Sequence, residues 1–193
     1  HCAASARTAS SSTNSRPPVL SAESVLLVDT QGKVVFAKRP GDSHAPASLV
    51  KLMTLYLACE ALEAGRAQWE EPVIISHRVV LTPRYRMGLR TGESVPLRTL
   101  LEGVAIASAN DAAAAVAEHL GGTEEAFVAA MNAKAEELYE RILAQNPQSA
   151  VVRRRLGGLY AGQKRLDEAL VQFRELEKVD ADPREARTKM GLI

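Results

Sequence analysis

The 193-residue sequence is short of the residue types that mark several classes of protein. Its two cysteines, Cys2 and Cys59, form no Cys-x-x-Cys pair, which excludes a disulfide-stapled scaffold and a cysteine-ligated zinc site. His44, His77 and His119 have no carboxylate or cysteine at metal-ligand spacing. Because 24 basic residues nearly balance 23 acidic ones, the net charge of +1 offers no general attraction to nucleic acid or anionic lipid. We therefore expect no nucleic-acid partner and no bound metal.

Long apolar runs are also absent, and the start of the chain is poor in large side chains. No run of about 18 apolar residues occurs, as a membrane-spanning helix would need. Residues 1–22 are rich in Ser, Thr and Ala, and we expect a flexible leader there. Because the sequence begins with His1 and not with Met, a removed secretory signal and a lipid anchor at Cys2 both stay open.

Residues 23–138 combine strand-like and helix-like patterns. Ser24–Asp29 and Lys33–Ala37 are apolar, β-branched runs, and Gly32 between them supplies the positive φ of a tight turn, which predicts a β-hairpin. Two Ala-rich or Leu-rich helices are predicted later, one beginning over Leu97–Leu101 and one over Asp111–Leu120. Strands followed by such helices predict an α+β domain.

A buried helix is predicted over Ser48–Ala64. Its apolar side chains recur at helical spacing, and Gly65 follows as a C-cap. The residues expected to face the core are Leu49, Leu52, Met53, Leu57 and Ala61. Two aromatic residues further on, Trp69 and Tyr85, are isolated in the sequence, and we assign no functional role to either.

The predicted helix carries Ser48 and, three residues on, Lys51. Residues three apart share one face of a helix, with Cβ atoms about 5–6 Å apart, so the hydroxyl and the amine can meet. Serine is a weak nucleophile at neutral pH, and a lysine that has lost its proton can act as its base. Ser-x-x-Lys also arises by chance, with the serine as a helix cap and the lysine in solvent. Taken alone, the pair leaves both interpretations open.

A second motif, Ser108-Ala-Asn110, heads a helix 57 residues after Lys51. Together the two motifs resemble the first two signatures of the penicillin-binding, serine active-site peptidases. Within that superfamily the similarity is to the low-molecular-mass D-alanyl-D-alanine carboxypeptidases, and it includes the stretches Met87–Glu93 and Leu100–Gly103. The resemblance covers residues 23 to about 138. It implies part of a β-lactamase or penicillin-binding transpeptidase-like fold, namely a hairpin and a helical subdomain.

The resemblance also implies a role for each motif residue. Ser48 would be the acylated nucleophile, with Lys51 as its proton acceptor. Ser108 would relay protons to the leaving group, and Asn110 would bind the peptide amide of the substrate. The implied substrate is the D-Ala-D-Ala end of peptidoglycan stem peptides, with β-lactams as acylating ligands and no cofactor. The implied location is periplasmic or otherwise extracytoplasmic.

The third signature of the family, Lys-Thr-Gly or a variant of it on a strand beside the nucleophile, does not occur in the 193 residues. In the family this strand supplies one oxyanion N–H and the cationic group that holds the substrate carboxylate. Its neighbours complete the sheet that the hairpin joins. We therefore expect an unpaired hairpin edge. We also expect impaired activity, since losing one oxyanion donor costs about a hundred- to a thousandfold in rate.

Residues 139–193 are denser in charge and carry a pattern with a 34-residue period. The residues that carry this pattern are Leu156, Gly157, Tyr160, Ala169 and Phe173, with Pro183 two residues late. It resembles tetratricopeptide repeats, which implies an all-α tail in which Gly157 and Ala169 lie at a close helix contact. One repeat is complete and its neighbours are partial, so we expect a fusion, a truncated gene product or a misjoined reading frame, with its seam at residues 133–138. An unrelated amphipathic helix pair is the alternative for this tail.

Two functions follow from these patterns. The first is a serine-type D-Ala-D-Ala carboxypeptidase that acts through an acyl-enzyme at Ser48. The second is a catalytically inactive, peptidase-like adaptor that binds a protein partner through its helical repeats. The four motif residues favour the enzyme, and the missing third signature favours the adaptor.

Overall fold

A computed structural model of the chain describes residues 20–40, 45–180 and 184–191. The chain divides into two compact units, residues 1–46 and 47–193, and each is described by itself. Most of the predicted leader, including Cys2, lies outside the described residues, as do His44 and Pro183.

The first unit contains the predicted β-hairpin, which is confirmed. Strands β1 (Val25–Val28) and β2 (Val34–Lys38) pair antiparallel, with an irregularity in register after Leu27. The turn between them has Gly32 at φ +80°, where a side chain would be strained. Both strands carry consecutive apolar residues, the pattern of strands covered on both faces. The apolar side chains are nevertheless exposed over much of the hairpin, and within the described residues β1 and β2 pair only with each other.

The second unit is mostly helical and begins with a 3-10 turn, Ala47–Val50, that leads into α1 (Lys51–Glu63). The following elements are β3 (Pro72–Ile74), α2 (His77–Val80), β4 (Ser94–Pro96), α3 (Leu97–Ala107), α4 (Asn110–Gly121), α5 (Glu124–Gln145), α6 (Ala150–Gly162), α7 (Leu166–Val179) and α8 (Arg184–Gly191). Strands β3 and β4 pair antiparallel, with Val73 opposite Val95. Across the part of the chain that the structure describes, no helix is both long enough and apolar enough to cross a membrane.

Helix α1 ends as predicted, but its buried face differs from the predicted one. Gly65 adopts φ +68° directly after the C-cap residue, and its N–H donates to the carbonyl of Leu62. The prediction that Leu49 and Leu52 face the core is wrong, because they are 67% and 64% exposed. The buried residues of the helix are Lys51, Thr54, Ala58 and Ala61. Their small or slender side chains let α1 pack closely against the alanine-rich α4.

The core beneath the candidate site joins α1, α3 and α4 to the short β3–β4 pair. Its largest fully buried members include Ile75, Val79, Leu97, Leu100 and Val116. Both predicted helices of this region are present as α3 and α4. The side chain of Thr123 caps α5 by accepting the N–H of Ala126, which fixes where that long helix starts.

The tail forms its own core, and the predicted repeat contacts are confirmed. Leu156, Tyr160, Ala169, Phe173 and Leu176 are all buried in it. A Cβ built on Gly157 would lie 2.8 Å from Cε1 of Phe173, so α6 and α7 approach as closely as the small residues permit. Helix α5 runs without interruption through the predicted seam at residues 133–138. The domain boundary expected near residue 138 stays a prediction.

A polar network ties α5 to the tail helices. The guanidinium of Arg165 pairs with Glu136 and lies 4.4 Å over the ring centroid of Tyr160. The phenol of Tyr160 donates to the carboxylate of Glu140 at 3.0 Å. Burial and this hydrogen bond raise the pKa of Tyr160, so the phenol stays neutral.

Candidate active site

Three of the four motif residues line one cavity of about 450 Å³ in the second unit: Ser48, Lys51 and Asn110. Its other walls are Ala47, Val50 and the segment Pro83-Arg84-Tyr85. Tyr85, to which the sequence analysis assigns no role, is therefore a wall of the candidate site, and it is 76% exposed. The cavity brings together the N-terminal end of α1, the N-terminal end of α4 and the loop before β4.

Ser48 and Lys51 owe their placement to the way α1 begins. Ser48 lies in the 3-10 turn, where residues three apart stack on one face, and Lys51 is the first residue of α1. Ser48 is exposed, whereas Lys51 is buried to 9% exposure. Ala47, just before the serine, adopts φ +48°, a strained conformation that is uncommon for a non-glycine residue and is concentrated at functional sites. The hydroxyl thus lies at a helix N-terminus, where the backbone dipoles favour a developing negative charge.

Asn110 holds the loop that faces Ser48. Its Nδ2 donates to the carbonyls of Pro83 and Arg84 at 3.1 and 3.0 Å, and its backbone N–H donates to the carbonyl of Tyr85 at 2.7 Å. These bonds support two successive residues in the left-handed region, Arg84 at φ +52° and Tyr85 at φ +44°. Because its amide protons are already bonded, Asn110 shapes the cavity wall, and its amide oxygen is the group left for a ligand.

Asp111 is a structural residue of the site that the sequence analysis missed. Its carboxylate is 1% exposed and accepts the backbone N–H groups of Met87 and Gly88, both at 3.0 Å. Behind this segment, a Cβ on Gly103 would lie 2.1 Å from the sulfur of Met87. The only sequence signal was an acidic residue in the first turn of a predicted helix, which on its own is typical of capping.

Ser108, the fourth motif residue, does not line the cavity. It ends α3 in the left-handed conformation, at φ +51°, two residues before α4 begins at Asn110. Its hydroxyl is buried and has no hydrogen-bond partner among the described residues. A buried hydroxyl without a hydrogen-bond partner costs about 1–3 kcal/mol of folding free energy. A polar group that came within reach of Ser108 would therefore gain a favourable hydrogen bond.

A second cavity of about 360 Å³ adjoins the first and shares Val50, Lys51 and Asn110 with it. Its floor consists of Thr54, alanines of α4 and the side chains of Phe127, Val128 and Met131 of α5. Lys51 therefore lines both the cavity that contains Ser48 and the second cavity. Neither the cavity nor any other part of the described chain gathers three or more His, Cys, Asp or Glu side chains that could hold a metal ion.

A serine at a helix N-terminus, a lysine three residues on and an asparagine heading a second helix form the arrangement of serine acyl-transfer enzymes that use a lysine base. A family model described as D-alanyl-D-alanine carboxypeptidase matches residues 11–141, and the chain belongs to that family. A second model, described as tetratricopeptide repeat, matches residues 129–193. The two matches overlap at residues 129–141, within α5, a helix that contacts both α4 and α6.

Curated relatives agree with the first match. The chain is 40% identical over 118 residues to D-alanyl-D-alanine carboxypeptidase DacF of Bacillus subtilis, a match that covers 61% of this chain and 30% of that protein. It is 35% identical over 122 residues to DacA of Escherichia coli, with 60% and 30% covered. The chain thus spans about 30% of the length of these relatives.

Solved structures show the same partial likeness. A crystal structure of the D-alanyl-D-alanine carboxypeptidase DacD from Francisella tularensis matches with a TM-score of 0.52 at 35% identity, over 62% of this chain and 29% of that one. Penicillin binding protein 5 from Haemophilus influenzae matches with a TM-score of 0.53 at 31% identity, over 64% and 37%. The fold is therefore part of a penicillin-binding-protein fold, joined to a tetratricopeptide-like helical tail.

Proposed function

We propose that this chain is a serine-type D-Ala-D-Ala carboxypeptidase that acts on peptidoglycan stem peptides through an acyl-enzyme at Ser48. The observation that carries the proposal is the single cavity that Ser48, Lys51 and Asn110 share. The relatives named D-alanyl-D-alanine carboxypeptidase support the choice of substrate. Because that substrate lies outside the cytoplasmic membrane, the proposal also places the chain in an extracytoplasmic compartment.

The proposed acylation step uses the two residues at the start of α1. The Oγ of Ser48 attacks the carbonyl carbon of the penultimate D-Ala, and its proton passes to the unprotonated amine of Lys51. The bond to the terminal D-Ala then breaks, and the leaving amine takes the proton from Lys51. For Ser108 to relay this proton, its buried hydroxyl, which does not line the cavity, must first turn towards it. Water hydrolyses the Ser48 ester in the second half-reaction, which releases the shortened peptide and restores the serine.

The position of Lys51 suits this role, because the residue is nearly buried and lines the cavity that contains Ser48. Among the described residues its Nζ has no hydrogen bond and no ion-pair partner, and its side chain lines the cavity that Phe127 and Met131 also line. Neither cavity places an unpaired carboxylate beside Lys51. Glu124, the acid of the second cavity, pairs with Arg78 at 3.2 Å.

The turnover of the 193-residue chain is expected to be slow. The sequence has no Lys-Thr-Gly motif, which in the family supplies the second oxyanion N–H. We expect a rate about a hundred- to a thousandfold below that of a complete enzyme. The experiment is to measure D-alanine release from a pentapeptide ending in D-Ala-D-Ala, with Ser48→Ala and Lys51→Arg as variants. Loss of release in both supports the proposal, because arginine keeps the charge but does not give up its proton. Release that persists in Ser48→Ala contradicts it.

The second candidate function is an adaptor that binds a protein partner through the tail. The observation in its favour is that α6, α7 and α8 build a core of their own around Phe173, as a tetratricopeptide-type module does. A chain that neither releases D-alanine nor forms an adduct at Ser48 would favour this function. The tail could then be tested alone for a partner only after it is shown to fold alone.

A further inference from the structure

The cavity that contains Ser48 is lined by two basic residues, Lys51 and Arg84, and by no acid. Lys51 approaches from α1, and Arg84 approaches from the loop that Asn110 holds. The remaining lining residues are neutral. A cleft with charge of one sign and apolar walls concentrates ligands of the opposite sign, so the lining selects for an anion.

The guanidinium of Arg84 has no hydrogen-bond or ion-pair partner among the described residues, unlike those of Arg78, Arg86 and Arg98. The guanidinium of Arg78 pairs with Glu125 at 2.8 Å, and that of Arg98 pairs with Glu70 at 2.6 Å and lies over Trp69. Arg86 donates to the carbonyl of Val80. Within the described residues, the guanidinium of Arg84 makes no hydrogen bond and no ion pair.

The backbone of Arg84 is nevertheless fixed. Its carbonyl accepts a hydrogen bond from Asn110, and its neighbours Pro83 and Tyr85 are held by the same residue. A left-handed backbone at Arg84 costs free energy that the surrounding structure must compensate, and such strain is concentrated at functional sites. Within the described residues, an unpaired guanidinium thus extends from a fixed backbone position in the lining of the cavity that contains Ser48.

We infer that Arg84 binds the C-terminal carboxylate of the substrate, and this inference rests on the proposed function. A guanidinium offers two parallel N–H groups that match a carboxylate, which makes it the side chain suited to such an anion. The terminal carboxylate of a D-Ala-D-Ala peptide lies one residue beyond the carbonyl that Ser48 attacks. Arg84 would then supply the cationic group that the missing Lys-Thr-Gly strand provides elsewhere in the family.

The test compares two probes that differ only in that charge: N-acetyl-D-Ala-D-Ala and its C-terminal amide. Binding to the folded 193-residue chain is measured by ligand-observed NMR titration. A charge-assisted pair predicts that the acid binds about ten- to a hundredfold more tightly than the amide. In Arg84→Gln this preference should fall to about onefold, while affinity for the amide stays unchanged. Arg84→Lys should retain part of the preference.

Arg90→Gln is the matched control. Arg90 lies on the same segment and is exposed, but it does not line the cavity. Its removal changes the net charge of the chain equally and should leave the preference for the acid intact. Circular dichroism establishes that each variant is folded before its titration is interpreted.

The outcomes separate this inference from the proposed function. Equal binding of acid and amide by the unmodified chain, absence of binding by both, or an unchanged preference in Arg84→Gln would each overturn the role of Arg84. An Arg84-dependent preference without any acylation of Ser48 would uphold the carboxylate site and refute the enzyme. Acylation at Ser48 that does not depend on Arg84 would uphold the enzyme and refute the carboxylate site at Arg84.

Discussion

Replacing Gly157 with alanine tests the helix contact on which the tail depends. The new Cβ would lie 2.8, 3.0 and 3.1 Å from three ring carbons of Phe173. Phe173 is 1% exposed, so its ring cannot move into solvent and must push the helices apart. Overpacking of this kind costs about 1–3 kcal/mol of unfolding free energy.

Gly158 next to it provides the matched control. A Cβ on Gly158 would meet nothing within 4 Å. Both substitutions occur in the interior of α6, so both gain about 0.5–1 kcal/mol from the higher helix propensity of alanine. Subtracting one variant from the other removes that gain and leaves the cost of the contact with Phe173.

The assay is urea denaturation followed by far-ultraviolet circular dichroism on the full chain. We expect Gly158→Ala to unfold at slightly higher urea than the parent chain. Gly157→Ala should have an unfolding free energy about 1–3 kcal/mol below that of Gly158→Ala. Equal midpoints for the two variants would refute the close packing of α6 on α7, and with it the repeat-like geometry of the tail.

Two further predictions concern the first part of the second unit. Asp111→Ala leaves the buried N–H groups of Met87 and Gly88 without their acceptor, so the chain should lose about 2–4 kcal/mol in urea denaturation; a loss below 0.5 kcal/mol would contradict this role. The pKa of Glu71 lies below its ordinary value of 4.5, chiefly because its carboxylate forms a hydrogen bond with His119. The ionised carboxylate therefore stabilises the fold fully above pH 4.5, and this stabilisation is lost as the pH falls through the lowered pKa. Glu71→Gln should therefore lower the melting temperature at pH 7 and have a smaller effect at pH 3; an equal effect at both pH values would contradict the pairing.

Local patterns were sufficient to predict much of the fold. The turn at Gly32 and the cap at Gly65 both depend on a residue that tolerates positive φ, and a glycine between regular segments marks such a place. The tail contacts were predictable for a related reason. Gly157 recurs in a spaced pattern with Ala169 and Phe173, and that pattern encodes which helix surfaces meet.

The orientation of α1 was not predictable in the same way. Leu49 and Leu52 favour burial because they are apolar, but their sequence does not show whether another helix or strand is present to cover them. Thr54 and Ala58 are buried instead because they are small enough for α4 to approach closely. The identity of the packing partner decides the buried face, and that partner lies some fifty residues away in sequence.

Some residues of the candidate site could not be predicted from the sequence either. The sequence identified Ser48, Lys51 and Asn110 because their spacing forms motifs. Arg84 and Tyr85 belong to no motif, and their positions follow from hydrogen bonds donated by Asn110 across 26 and 25 residues. Only the folded chain brings Arg84, whose guanidinium is unpaired among the described residues, into the lining of the cavity that contains the serine.

The central claim is that Ser48 is a nucleophile in this chain. The most direct measurement is mass spectrometry of the intact chain after incubation with a labelled β-lactam, followed by peptide mapping. The account predicts slow formation of a single covalent adduct, located on Ser48 and absent from Ser48→Ala. No adduct after prolonged incubation, or an adduct that persists in Ser48→Ala, would contradict it.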